Sequence, residues 1–287
     1  MSGFVRITEV GPRDGLQNEP RPVPVEAKVA FVDLLSACGF AEIEVTSFVN
    51  PRRVPQLADG AEVLARIARR PGTVYSALVP NERGMEAALA AGAGKVAVFA
   101  SASDGFSRAN TGAPIDEVVA RFAPVVAAAR TARIPVRGYV SCVVRCPYDG
   151  PVDPAAVRRT AAMLLDMGID DLDLGETLGV AVPDDIRRLY DGLAPSIEPA
   201  RTTLHLHDTN GRAADNARAA LGLGVRSFDA SAAGLGGCPF APGARGNVDT
   251  AALVAVAEAE GYRTGIDLQA LGRAASSIRH SLRDGAS

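Results

Sequence analysis

Apolar residues along the chain fall into two alternating patterns. Short β-branched or alternating runs occur at 4–10 (FVRITEV), 42–46 (EIEVT), 74–79 (VYSALV), 95–100 (KVAVFA), 136–141 (VRGYVS), 170–175 (DDLDLG), 202–207 (TTLHLH) and 227–232 (SFDASA). Between them, 25–38, 59–70, 82–92, 114–132, 154–168, 183–194 and 211–223 carry apolar residues at helical spacing, several ending in glycine. Strands that alternate with helices are parallel and joined by crossovers. Eight such strands, with a further helix near 267–282 lying over the mouth or the side, predict a TIM (β/α)8 barrel; a doubly wound sheet is the competing architecture. No composition shift divides the chain, so residues 1–287 are expected to form a single domain.

The barrel supplies a sorting rule for chemistry, because active sites of this fold lie at the C-terminal ends of the strands. Asp14 follows the first run, Glu44 lies within the second, Ser141 ends the fifth and Glu176 follows the sixth. His205 and His207, two of only three histidines, sit in the seventh. Side chains alternate along a strand, so both imidazoles point one way and Leu204 and Leu206 the other. About 7 Å of strand rise separates the pair, within reach of one metal ion. The alternative is a pair of hydrogen-bonded core histidines. Nearby strand-end carboxylates would complete a mixed nitrogen and oxygen site suited to Mg²⁺ or Mn²⁺.

Two loops add to this. In GPRDGLQ (11–17) a tight turn, itself a common motif, sets Arg13 beside Asp14, a candidate oxyanion stabiliser beside a candidate metal ligand. In SAAGLGGCPFAPGARGN (231–247) five glycines and two prolines argue against any regular element and for a long Gly-rich loop over the mouth. Cys238 in that loop is a candidate for proton transfer, and Asn247 at its end can offer a neutral oxygen.

Composition narrows the function. The chain is 47% hydrophobic with a formal charge of −3, so it lacks the basic footprint of a nucleic-acid binder. No apolar run approaches the roughly 18 residues of a membrane span, and the start MSGFVRITEV has no charged leader, so a cytoplasmic protein is expected. Four cysteines are too few for a disulfide scaffold and are read as thiols.

The stretches EVGPRDGLQNE (9–19), TSFVNP (46–51), VRGYVSCVVRCPYDG (136–150), LGETLGV (174–180), HLHDT (205–209) and AGLGGCP (233–239) together resemble the 3-hydroxy-3-methylglutaryl-CoA lyases of the DRE-TIM metallolyase group, over residues 4–272. The resemblance implies a divalent cation on Asp14, His205, His207 and Asn247, Arg13 at the substrate carbonyl, Cys238 as the proton-transfer residue and Glu44 orienting Arg13 or the substrate. Glu176, a substrate-binding candidate, stands where relatives commonly have aspartate. It also implies an acyl-CoA substrate, no organic cofactor and a homo-oligomer, dimer or higher. Cys142 and Cys146 match the family as strand-end packing, and Arg108 is a candidate for gripping CoA. The chain departs from the family pattern Gly-Asn-x-Ala-Thr-Glu, reading GNVDTA (246–251) with Ala251 in the glutamate position, which puts efficient turnover in question.

Overall fold

A computed structural model describes residues 3–238 and 241–284, without the side chains of Cys238, residues 241–245 and Asp284. Eight parallel strands close a barrel: β1 (Arg6–Glu9), β2 (Glu42–Ser47), β3 (Val74–Leu78), β4 (Lys95–Ser101), β5 (Val136–Ser141), β6 (Asp171–Glu176), β7 (Thr202–Leu206) and β8 (Ser227–Ala230), each hydrogen-bonded to its sequence neighbours and β8 to β1. All eight coincide with the runs read from the sequence, because strands covered on both faces must be apolar nearly throughout. The crossover helices are α1 (Val25–Ser36), α2 (Gly60–Arg66), α3 (Glu82–Ala90), α4 (Asp104–Thr111), α5 (Ile115–Ala120), α6 (Ala123–Ala132), α7 (Pro154–Met167), α8 (Pro183–Leu193) and α9 (Ala213–Leu223), followed by α10 (Thr250–Ala259) and α11 (Leu268–Asp284). The main core lies between strands and helices, where Leu174, Leu204, Leu206 and Phe228 are essentially inaccessible.

Several elements differ from expectation. The stretch 114–132 is two helices, since Pro124 cannot donate to the preceding turn and restricts its neighbour. Helices α4 and α10 lie where none was predicted; both are short and capped by a side chain, Ser103 for α4 and Asp249 for α10. Helix α11 packs on α1 at the barrel's side. The glycine-rich stretch 231–247 does contain regular structure: a 3-10 turn at Ala232–Gly234 and an antiparallel hairpin of Gly237–Cys238 with Ala241–Arg245. Glycine and proline density signals turns but leaves a two-stranded hairpin edge open to both residues. A second hairpin joins Arg145–Cys146 to Gly150–Pro151 above β5.

Candidate metal and active site

The Arg-Asp segment is one turn of π-helix, Gly11–Gly15, in which the Val10 carbonyl accepts from the amides of Arg13, Asp14 and Gly15 at 2.8–3.2 Å. Glycine is needed at both ends. A Cβ on Gly11 would lie 2.6 Å from a Glu9 carboxylate oxygen, and one on Gly15 would lie 2.8 Å from the Ser231 hydroxyl. Glu9 ties this turn to its surroundings: Oε1 accepts from the amides of Gly11 and Ala232, and Oε2 from the Thr250 hydroxyl. Burial raises the Glu9 carboxyl to about 7, against the pull of those three donors.

The turn presents Arg13 and Asp14 to the mouth. Arg13 Nε donates to Glu44 Oε2 at 2.6 Å, and its Nη1 to Asp14 Oδ1. Burial works against the arginine's charge but is outweighed by Glu44 and Asp14. Burial raises the Glu44 carboxyl, with Arg13 opposing. Across the mouth, His205 Nε2 stands 3.9 Å and His207 Nε2 3.8 Å from Asp14 Oδ2. Burial pushes Asp14 up, yet Arg13 and the two histidines hold it well below the usual carboxylate range.

These three side chains fit a divalent ion. Their donor atoms lie within 4.8 Å of one another, and ligands on an octahedral ion at ~2.1 Å sit roughly 3 Å apart, so adjustments under about 1 Å close the set. His205 Nδ1 meets Asp229 Oδ2 at 3.1 Å, which fixes its proton there and leaves the Nε2 lone pair on the Asp14 side, open to a cation. Asp229 in turn accepts from Arg137 Nη1 at 2.8 Å. Burial opposes its charge, but Arg137 and His205 keep Asp229 ionised, while burial and the Asp229 charge push neighbouring Asp173 well above the usual range. Asn247 Nδ2 donates to Asp14 Oδ2 (2.9 Å) and to the Leu235 carbonyl (3.1 Å). A ligand role for Asn247 therefore requires its amide turned end for end.

A cavity of about 590 Å³ opens over these groups. Its lining includes the polar Arg13, Asp14, His205, His207 and Tyr139 and the apolar Leu78, Phe99 and Phe106, with the exposed Arg53 and Arg121 also contributing. Arg108 is not among the lining residues. The sequence reading passed over Asp229, Arg137, Tyr139 and Glu9.

A family model described as HMGL-like matches residues 4–278. The chain belongs to the HMGL-like family. Hydroxymethylglutaryl-CoA lyase of Pseudomonas mevalonii is 49% identical, over 93% of this chain and 89% of that protein. A Pseudomonas aeruginosa relative named 3-hydroxy-3-isohexenylglutaryl-CoA/hydroxy-methylglutaryl-CoA lyase is also 49% identical, with the same coverage. The crystal structure of the HMG-CoA lyase from Brucella melitensis superposes with a TM-score of 0.96 at 49% identity, covering 98% of this chain and all of that one.

Within this HMGL-like barrel the remaining candidates fall as follows. The backbone of Cys238 lies in the hairpin beside the mouth, but its side chain lies outside the described residues. Glu176 does not line the cavity. By alternation it shares the face of Leu172 and Leu174, turned from the lumen; burial raises its carboxyl, with His207 opposing, and Oε1 makes one long contact of 3.4 Å with the Val180 amide. Ala251 sits exposed in the first turn of α10, outside the cavity, where Asp249 accepts from the amides of Ala251 and Ala252. The departure from the family pattern thus lies on a helix start and leaves the cavity wall untouched. Cys142 and Cys146 are buried with Phe106, and Cys146 Sγ accepts from the Ser103 hydroxyl and the amides of Tyr148 and Asp149.

Proposed function

We propose that this protein is a metal-dependent carbon–carbon lyase that cleaves 3-hydroxy-3-methylglutaryl-CoA to acetyl-CoA and acetoacetate. The observation that carries the reading is the convergence of Asp14, His205 and His207 beside the buried Arg13–Glu44 pair, on one cavity of a chain 49% identical to a named lyase. In the reaction the C3 hydroxyl loses its proton, the C2–C3 bond breaks, and its electron pair passes to C2 as the enolate of acetyl-CoA. C3 becomes the ketone of acetoacetate, and a proton delivered to C2 completes the thioester product.

Each residue has a role in this proposal. Asp14, His205 and His207 hold a divalent cation, with Asn247 as a fourth ligand, and Mg²⁺ or Mn²⁺ suits the donor set. When bound, such a cation supplies positive charge that eases deprotonation of the C3 hydroxyl. Arg13 faces the thioester oxygen and stabilises the charge that develops there; Glu44 fixes the direction of its planar fork. Cys238 moves the proton. We place the protein in the cytoplasm as a single-domain homo-oligomer under the same proposal; among the described residues no helix is long and apolar enough to cross a membrane.

The test is formation of acetyl-CoA and acetoacetate by metal-depleted protein before and after addition of Mg²⁺ or Mn²⁺. Turnover that appears only with metal supports the reading; no product under either condition refutes it. A second substrate is favoured by one observation, the dual name of the Pseudomonas aeruginosa relative. Apolar lining residues of the cavity, Leu78, Phe99, Phe106 and Phe122, offer surface to a longer branch at C3. Comparing kcat/KM for the methyl and isohexenyl substrates decides between them.

A further inference from the structure

Tyr139 lies on β5 in register with Phe99 of β4 and Asp173 of β6, and its parity turns it into the barrel. Its side chain reaches the cavity wall at the level of the Arg13 fork. It forms an apolar cluster with Leu78 and Ala97, against which Val49 and Phe99 pack, so a phenyl ring alone would keep the apolar packing. The hydroxyl is separate from that packing. Tyr139 is buried, at 7% exposure, and its hydroxyl stands 3.2 Å from Glu44 Oε2 and 3.4 Å from Asp229 Oδ2.

The identity of those two oxygens matters. Glu44 Oε2 is the atom that accepts from Arg13 Nε, and Asp229 Oδ2 is the atom that meets His205 Nδ1. A path therefore runs from the Arg13 fork through Glu44, the Tyr139 hydroxyl and Asp229 to the His205 ring, with no link longer than 3.4 Å. The ring also takes part: the Arg13 guanidinium lies 5.5 Å from its centroid, the Arg137 guanidinium 5.7 Å, and the His205 ring meets it edge-on at 6.4 Å. One phenolic proton serves two carboxylates, so the place it takes at one changes what the other receives.

We infer that the Tyr139 hydroxyl is a positioning group of the reaction, coupling the arginine that faces the thioester oxygen to the histidine that holds the metal by bridging their carboxylate partners, Glu44 and Asp229. The inference rests on the lyase reading above. Neither end of the path needs the hydroxyl for its own ion pair, but each takes its direction from a carboxylate that the hydroxyl also holds.

Tyr139→Phe tests this, since it keeps the ring and removes only the oxygen. A hydrogen bond to a charged group is worth roughly ten- to hundredfold, which shared between two ends gives each about three- to tenfold. The expected result is an Mn²⁺ dissociation constant raised about three- to tenfold in metal-depleted protein without substrate. A kcat lowered by a similar factor at saturating metal should accompany it, with KM within about twofold and Tm within about 4 °C of the parent. Movement of only one of the two constants overturns the coupling. A raised KM with unchanged kcat makes Tyr139 a substrate contact and overturns it too, and a lowered Tm with both constants unmoved makes the hydroxyl merely structural. The parent's own turnover in the same assay tests the lyase reading separately, because the metal arm is read without substrate.

Discussion

Replacing Asp229 by asparagine changes one buried oxygen and should act mainly on metal binding. In the parent, Asp229 Oδ1 takes Arg137 Nη1 at 2.8 Å and Oδ2 faces His205 Nδ1 at 3.1 Å. An asparagine satisfies only one of these. If its oxygen turns to His205, its amide nitrogen confronts the Arg137 donor; if the oxygen turns to Arg137, the amide nitrogen faces His205 Nδ1, which must then become the acceptor. In that second arrangement the imidazole proton moves to Nε2, the nitrogen facing Asp14, and a protonated nitrogen cannot ligate. The buried cation favours it, because Arg137 loses a charged partner either way and cannot also face a donor. Loss of such a supporting carboxylate costs roughly 10- to 100-fold in metal affinity, or about 1.4–2.8 kcal/mol. The fold should survive, since Arg137 keeps Glu42 at 3.1 Å, Thr8 at 3.0 Å and Asp173 at 3.3 Å. The assay is Mn²⁺ titration of metal-depleted parent and Asp229→Asn protein, followed by calorimetry, with thermal melts alongside. An Mn²⁺ affinity within twofold of the parent's, in a folded variant, would refute the reasoning and remove Asp229 from the support of His205.

Other outcomes follow from the same geometry. Arg13→Lys should lower kcat by roughly 10²–10³, the scale of one lost oxyanion donor, while metal affinity moves far less, because a point charge cannot reproduce the fork held by Glu44; equal losses in steady-state rate and Mn²⁺ titration would instead make Arg13 an organiser of the metal site. Cys238→Ser should leave melting temperature and metal affinity near the parent's and slow cleavage by roughly 10²–10⁴; turnover within about threefold would show that the proton is handled elsewhere. For Glu9, with its folded-state carboxyl raised from 4.5 to about 7 by burial, the native state binds the proton more tightly than the unfolded chain, so its contribution is fully present below about pH 4.5 and is lost as pH rises through 7, up to about 3 kcal/mol. Glu9→Gln should therefore flatten the fall in unfolding free energy between pH 5 and 8 seen in denaturant titrations, and an unchanged slope would assign that titration to another group.

The barrel was legible because the apolar runs are set by burial on both strand faces, a constraint that local sequence records directly. His205 and His207 were legible for a related reason: two polar residues at the parity opposite Leu204 and Leu206 must face the lumen. The hairpin at 237–245 was not legible, since its pairing depends on which segments the mouth brings together and neither strand carries an alternating pattern. Ala251 shows the limit of a family pattern: it marks a carboxylate missing from the sequence, while only the structure places it, exposed, on a helix that Asp249 caps.

The most informative omission was a set of charges inside strands. Glu42, Arg137 and Asp229 all lie in runs otherwise apolar enough for a buried sheet, and all are at most 4% exposed. An ion taken from water into such an interior survives only when paired, so each of these letters required a partner that sequence spacing cannot name. Arg137 and Asp229 are 92 positions apart, and Tyr139 and Glu44 are 95. Parity alone could have placed them in the lumen: Arg137 and Tyr139 alternate with Val136, Gly138 and Val140, and Asp229 with Phe228 and Ala230. A charged residue at lumen parity in a barrel strand is thus a readable sign that the interior beneath the mouth is wired. What connects to what awaits closure of the barrel, which brings β2, β5 and β8 to face one another across the lumen. The chemistry proposed at the strand ends rests on that buried layer, because Arg13 and His205 each take their orientation from a carboxylate within it.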